Sequence, residues 1–172
     1  AVMVAMAETA TGLGHGIFES WLRHTDRNDL LFLQGTRYAL TRPPTLTFEE
    51  SHSHATRHRL YAAITADDRQ LFDTAQTLVI VDDEMSTGAT AANLAAAYCR
   101  HNSALREVIF VCLTDWLNDT SRAGVQMRVG VSVRFESLLC GTYSFEPDPA
   151  FDPGPLPLVD SDDRDKTFCL PV

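Results

Sequence analysis

Two neighbouring carboxylates, Asp82 and Asp83, follow a run of four apolar residues, Leu78 to Val81. Behind them stand Ser86, Thr87, Gly88, Ala89 and Thr90, and then an alanine-rich run. The apolar run reads as a buried strand that delivers the two acids to its C-terminal end. The Ser/Thr/Gly segment reads as a loop that presents backbone N–H groups and hydroxyls at a helix N-terminus. Carboxylates accept hydrogen bonds from sugar hydroxyls and are hard oxygen ligands for Mg2+. An N–H cradle takes a phosphate. Side by side, the two suit a phosphorylated sugar. The bland alternatives are a solvated acidic turn and a plain N-cap made by Ser86 or Thr87. The N-cap is compatible with anion binding, because such loops are where anions bind.

These groups need a frame, and the rest of the chain supplies one. Strands are expected over 2–7, 30–34, 77–81, 108–114, 129–139 and 143–145. GLGHG at 12–16 reads as a loop, followed by helical spacing of Ile17, Phe18, Trp21 and Leu22. Helices are expected over 67–73 and 87–101, with a turn or short helix over 119–124. Residues 41–58 are polar, contain Pro43–Pro44, and read as a mobile loop. Strands alternating with helices predict an α/β fold, a mainly parallel twisted sheet flanked by helices. In such sheets ligands sit beyond the carboxyl ends of the strands, where the Asp82–Asp83 loop falls. Residues 1–145 form the expected domain. Residues 146–172 form an acidic, Pro-rich tail that packs on it or extends from it.

A chain of 172 residues with 45% hydrophobic and 22% charged content suits one globular domain with a sizeable core. Its net charge of −9 argues against a nucleic-acid or anionic-membrane surface. Binding a strongly anionic ligand therefore requires cations gathered locally, or Mg2+. Lys166 is the only lysine among the 14 basic residues. Cys99, Cys112, Cys140 and Cys169 form no CxxC pair, which favours buried thiols in a reducing, cytoplasmic setting. No signal-peptide pattern and no apolar run of about 20 residues is visible. The chain opens directly on an apolar strand, AVMVAM, which suggests a missing N-terminal segment or a longer polypeptide.

The stretch LVIVDDEMSTGAT (78–90) resembles the phosphoribosyl pyrophosphate (PRPP) motif of type I phosphoribosyltransferases. That motif is four apolar residues, two acids, two apolar residues and a small Thr/Gly loop; Glu84 departs from it. AMAETATGLGHGIFESWL (5–22) and FEESHSHATRHRLY (48–61) add a further resemblance. It is to the orotate phosphoribosyltransferase-like family associated with tellurium-resistance and stress gene clusters. The resemblance implies transfer of the 5-phosphoribosyl group of PRPP to a nitrogenous acceptor, with release of pyrophosphate, Mg2+ as cofactor, and a homodimer. It implies that Asp82 and Asp83 hold the ribose hydroxyls, directly or through the metal. Ser86, Thr87, Gly88, Ala89 and Thr90 would cradle the 5-phosphate. Glu8, Thr9, Ala10, Thr11 and Gly12 would form the pyrophosphate loop. Arg37 would contact pyrophosphate, with Tyr38 where a lysine is usual.

Residues 48–61 fall where that family has a flexible loop that closes over the site and excludes water. Glu50, His52, His54 and Arg57 are its catalytic candidates. Arg57 or Arg59 would stabilise departing pyrophosphate, and His52 or His54 would move a proton. Ser86 stands where purine-salvage members often carry an acid, which counts against purine salvage. Asp115 ends a strand at the ligand edge and is a candidate base or metal contact. The acceptor surface in this superfamily is a variable hood; Cys140, Gly141 and Tyr143 would frame a ring. Two other readings compete. One is a PRPP-binding regulator without turnover. The other is a receiver-like phosphoacceptor domain, which VIVDDE also resembles but which needs a lysine before the tail.

Overall fold

A computed structural model describes residues 1–27, 29–49, 57–61, 65–144, 146, 150 and 154. Glu50, His52, His54 and nearly all of the 146–172 tail lie outside the described residues. In chain order the elements are β1 (Val2–Ala5), α1 (Thr11–His24), β2 (Leu31–Thr36), β3 (Leu46–Glu49) and β4 (Arg57–Leu60). There follow α2 (Ala66–Thr74), β5 (Thr77–Val81), β6 (Glu84–Met85) and α3 (Ala89–His101). The last are β7 (Glu107–Asp115), α4 (Asp119–Val129) and β8 (Ser132–Cys140).

The strands form one sheet in the order β3-β4-β2-β1-β5-β7, with β6 and β8 both on β7. Pairings among β1, β2, β5, β6, β7 and β8 are all parallel. Only β4 pairs antiparallel, with β2 and with β3. The expected mainly parallel α/β sheet is therefore the observed one. β1 and β5 are near-continuous apolar runs because helices cover both faces at the centre of the sheet.

One face carries α1. Leu13, Ile17 and Phe18 pack over Met3, Val79 and Val81. Gly14 makes that approach possible, since a Cβ there would run into the Ala5 side chain. The opposite face carries the larger core, where Leu94, Ala95 and Tyr98 of α3 pack with Phe72, Ile80 and Phe110. Its polar groups are paired: the Tyr98 hydroxyl donates to the Phe72 carbonyl at 2.5 Å, and Asn102 Nδ2 donates to the Ala75 carbonyl at 2.8 Å. Burial pushes the Tyr98 hydroxyl pKa up to about 12. Cys112 is buried as expected, and burial, with Asp115 and Asp82 nearby, pushes its thiol up to about 11. Cys140, by contrast, is exposed.

Several expectations are corrected. The supposed loop at 12–16 lies inside α1, where Gly14 serves close packing against Ala5 rather than a turn, while Gly12 and Gly16 have open space around them. The expected turn at 119–124 is a full helix, and Val129 ends it rather than opening a strand. Asn118 caps α4 by accepting from the Ser121 N–H at 2.8 Å, and Gly130 closes it with φ +76°. Only Val125 and Val129 of that helix are buried, too few to give a visible period. Residues 46–49 and 57–58 of the expected loop at 41–58 belong to strands β3 and β4, in which Leu46, Phe48 and His58 are buried. Tyr143 and Ser144 are not in a strand. Among the described residues, no helix is long and apolar enough to cross a membrane.

Two helical glycines, buried Gly14 and exposed Gly124, should behave oppositely. Gly14→Ala must push α1 off β1 and cost about 1–3 kcal/mol in urea unfolding. Gly124→Ala, with nothing within 4 Å of an added Cβ, should stabilise α4 by about 0.5–1 kcal/mol.

Candidate active site

The site is built where β5 breaks off. The Asp82 N–H still donates to the Val111 carbonyl at 2.9 Å, but the next residue leaves the regular ladder. The Asp83 carbonyl accepts from both Leu113 and Thr114 N–H groups, at 3.1 and 3.2 Å. β6 then rejoins β7, with Glu84 opposite Thr114 and Met85 opposite Asp115. This interruption turns two carboxylates out of the sheet edge while keeping their backbone groups paired. The Asp82 carboxylate accepts from the Asp83 N–H at 3.0 Å, and Asp83 Oδ1 accepts from the Thr9 hydroxyl at 2.8 Å.

The chain then turns into α3. Met85 is buried and anchors the turn. Gly88 adopts φ +69°, and a Cβ there would lie 2.9 Å from Val125 Cγ2, so only glycine fits. The first helical hydrogen bond runs from the Ala92 N–H to the Gly88 carbonyl at 2.9 Å. The N–H groups of Ala89, Thr90 and Ala91 precede it, at the positive end of the helix. Ala89 N–H donates to the Thr87 hydroxyl at 3.3 Å, a long and therefore weak hydrogen bond.

These residues line a cavity of about 210 Å³. Its wall includes Asp82, Asp83, Glu84, Ser86 to Ala91, Met6, Ala7, Thr9, Arg37 and His58. The structure thus gathers Asp82, Asp83, the whole Ser86–Thr90 loop, Thr9 and Arg37 in one place. The other expected loop residues stand differently. Glu8 Oε2 lies 4.0 Å from Arg37 Nη1. Ala10 is buried beneath the loop. Thr11 and Gly12 open α1, and the Thr11 hydroxyl accepts from Gln34 Nε2. The Ala7–Glu8 peptide is cis.

Arg57 is not brought to this cavity; it faces a separate groove toward α3 and α4. His58, its neighbour on β4, lines the cavity instead. Alternation along the strand sends successive side chains to opposite sides. His58 is 1% exposed and stacks on Phe48, with centroids 5.1 Å apart. Arg59 is also buried, and its Nη1 donates to the Arg37 carbonyl at 2.6 Å, which holds the Arg37 backbone in place. His58 has no local signal that separates it from His52 and His54 in the same polar stretch; its pairing opposite Phe48 sets it apart.

Asp115 has a structural role. It is 2% exposed, accepts from the Leu117 N–H at 2.9 Å, and pairs with Arg122 Nη2 at 2.5 Å. Its carboxylate ties β7 to α4 rather than facing a ligand. His15 rests against the Phe32 ring at 4.7 Å. Among the described residues, no three His, Cys, Asp or Glu side chains converge as a metal-binding group. A cation held by Asp82 and Asp83 would complete its shell from substrate and water, which is how Mg2+ is commonly bound.

Replacement of Gly88 tests the phosphate cradle. Gly88→Ala should weaken anion binding at the α3 N-terminus by about 10-fold or more, from a backbone strain of roughly 1–3 kcal/mol, read by calorimetric titration alongside the melting temperature.

Comparisons with known proteins bear on the family and the fold. A family model described as phosphoribosyl transferase matches residues 1–142. No curated protein matches the sequence. Among solved structures, the adenine phosphoribosyltransferase of Giardia lamblia in complex with 9-deazaadenine is similar with a TM-score of 0.57 and 13% identity, over 83% of this chain and 71% of that one. The enzyme of Trypanosoma brucei, in complex with AMP, pyrophosphate and ribose-5-phosphate, gives 0.55 and 13% over 95% of this chain and 66% of that one. That of Rhodothermus marinus gives 0.50 and 15% over 81% and 69%. At such identities the likeness is one of fold. The family match over most of the length carries more: this chain belongs to the phosphoribosyl transferase family, whose activity is PRPP-dependent pentosyl transfer.

Proposed function

We propose that the Asp82–Asp83 cavity binds PRPP with Mg2+ and transfers its phosphoribosyl group to a nitrogenous acceptor, releasing pyrophosphate. The observation that carries this reading is the meeting of the acid pair, the α3 N-terminal loop and Arg37 around one cavity. Residues Ser86 to Thr90 take the 5-phosphate through backbone N–H groups and hydroxyls. Asp82 and Asp83 accept from the ribose hydroxyls and hold the metal, with Thr9 orienting Asp83. When bound, Mg2+ supplies positive charge to the leaving pyrophosphate.

The remaining positive charge comes from this chain. Arg37 faces the cavity from the end of β2 and lies near Glu8. His58 stands in the wall, buried and stacked, where a protonated ring would stabilise charge on the leaving group. Arg59 positions Arg37 through its carbonyl. These groups act by placement and electrostatics, which is most of what this displacement requires.

For the acceptor, the aromatic pair beyond the β7 edge is the best-placed surface. The Trp116 N–H donates to the carbonyl of Met85, a residue of the cavity wall, at 2.9 Å. The Trp116 and Tyr143 rings meet edge to face at 6.2 Å, and an added Cβ at Gly141 would strike the Trp116 ring. A planar nitrogenous ring stacks on such a surface. Ser86 offers no acid for the proton of a purine, so the acceptor nitrogen is one that reaches the site already anionic. The closer kinship with the orotate-like family of tellurium-resistance and stress clusters, a cytoplasmic location and a homodimer belong to the same proposal. The motifs at 5–22 and 48–61 support the kinship, and four cysteines without a CxxC pair support the location.

Calorimetric titration with PRPP is the direct test. Wild type should bind on the order of micromolar with Mg2+, and much more weakly without it. Asp82→Asn/Asp83→Asn should lose about 100-fold or more, since each charged hydrogen bond contributes roughly 1.5–3 kcal/mol. Absence of binding by folded wild type would sink the proposal; binding without pyrophosphate release across an acceptor screen would assign a sensor instead. Once an acceptor is found, Trp116→Ala should raise its KM while leaving PRPP affinity unchanged, and His58→Phe, which keeps the stack on Phe48, should lower kcat.

A further inference from the structure

We propose that the groove between the β3–β4 hairpin and helices α3 and α4 is a second anion site, separate from the PRPP cavity, for a small polyanion of the di- or triphosphate class. The groove has a volume of about 550 Å³ and receives Arg57 from β4, Arg100 from α3 and Arg128 from α4. Three of the 14 basic residues of a chain with net charge −9 thus converge on one surface from three separate elements. Among the described lining residues, Glu49 is the only carboxylate.

The arginines are poised rather than neutralised. Among the described residues, neither Arg57 nor Arg100 makes a side-chain hydrogen bond or ion pair. Arg128 Nη1 donates to Asn93 Oδ1 at 2.8 Å, and Asn93 Nδ2 donates to the Glu49 carbonyl at 2.8 Å. That relay orients one guanidinium and ties the hairpin to α3. Asn93 and Arg100 stand seven residues apart, on one face of the helix. Arg100 and Arg128 lie in the last turns of their helices, where their charge also offsets the carbonyl ends. Arg57 has no such reason to be there. Three like charges beside a single described carboxylate repel on balance, and an anion between them reverses the sign of that interaction. The planar guanidinium fork matches phosphate oxygens in pairs.

The site uses none of the residues assigned to PRPP, so the two readings stand or fall separately. The test is calorimetric titration of inorganic tripolyphosphate into the full chain at low ionic strength, where exposed charges are least screened. Wild type should bind, and Arg100→Gln/Arg128→Gln should weaken that binding by about tenfold, with Arg100→Lys/Arg128→Lys in between because charge remains and the fork is lost. PRPP affinity and melting temperature of the Gln variant should match wild type. Hydrogen exchange on adding tripolyphosphate should slow in α3 and at the end of α4. Equal tripolyphosphate affinity in wild type and the folded Gln variant overturns the proposal, as does absence of binding to wild type. Binding of a poly-aspartate peptide but not of tripolyphosphate also overturns it, in favour of an acidic protein segment as the occupant.

Discussion

The backbone between Val81 and Glu84 governs this site. A strand whose side chains were to stay in the ladder would point one of two adjacent acids into the core, where an unpaired charge is prohibitively costly. The chain avoids this by leaving the ladder for two residues and rejoining β7 immediately afterwards. The backbone groups released by the detour are taken up by Val111, Leu113 and Thr114. Both carboxylates therefore stand at the sheet edge on a backbone with its polar groups paired. The turn into α3, the left-handed Gly88 and the seating of Gly88 against Leu117 and Val125 follow from where that detour ends.

A site of this kind has an electrostatic problem. Asp82, Asp83 and Glu84 all line the cavity, in a protein already acidic overall. An anionic sugar phosphate is bound there only if positive charge is supplied locally. The α3 N-terminus supplies part of it without any side chain. Arg37 supplies more, and Arg59 is used indirectly, to hold Arg37 by its carbonyl. The remainder is a natural task for a divalent cation shared between the carboxylates and the ligand. The same scarcity of cations makes the free-standing cluster of Arg57, Arg100 and Arg128 conspicuous.

The β3–β4 hairpin joins these two regions. Alternation along β4 places Arg57 in the groove and His58 in the cavity wall, so one short strand serves both. The similarity to adenine phosphoribosyltransferases, at 13–15% identity in the structures compared, concerns the arrangement of strands and helices. In the proposed function, acceptor choice rests on side chains beyond that frame, among them Ser86, Trp116 and Tyr143.

By itself the sequence determined the parts whose signal is local. An apolar run ending in two acids, followed by Ser86 to Thr90, identifies a strand, a ligand edge and a helix start within a dozen residues, and the mainly parallel sheet follows from the alternation of such units. The tertiary structure alone decided what depends on contacts distant in sequence. Whether GLGHG is a loop or a helix turned on Ala5 lying close enough to require Gly14. Whether Asp115 is a catalyst or a strut turned on Arg122 reaching it across the α4 start. Which member of the Arg57–His58–Arg59 run enters the cavity turned on the register of β4 against β3, which pairs Phe48 with His58. A one-residue change of register exchanges every inward and outward side chain, and composition carries no record of which register is adopted.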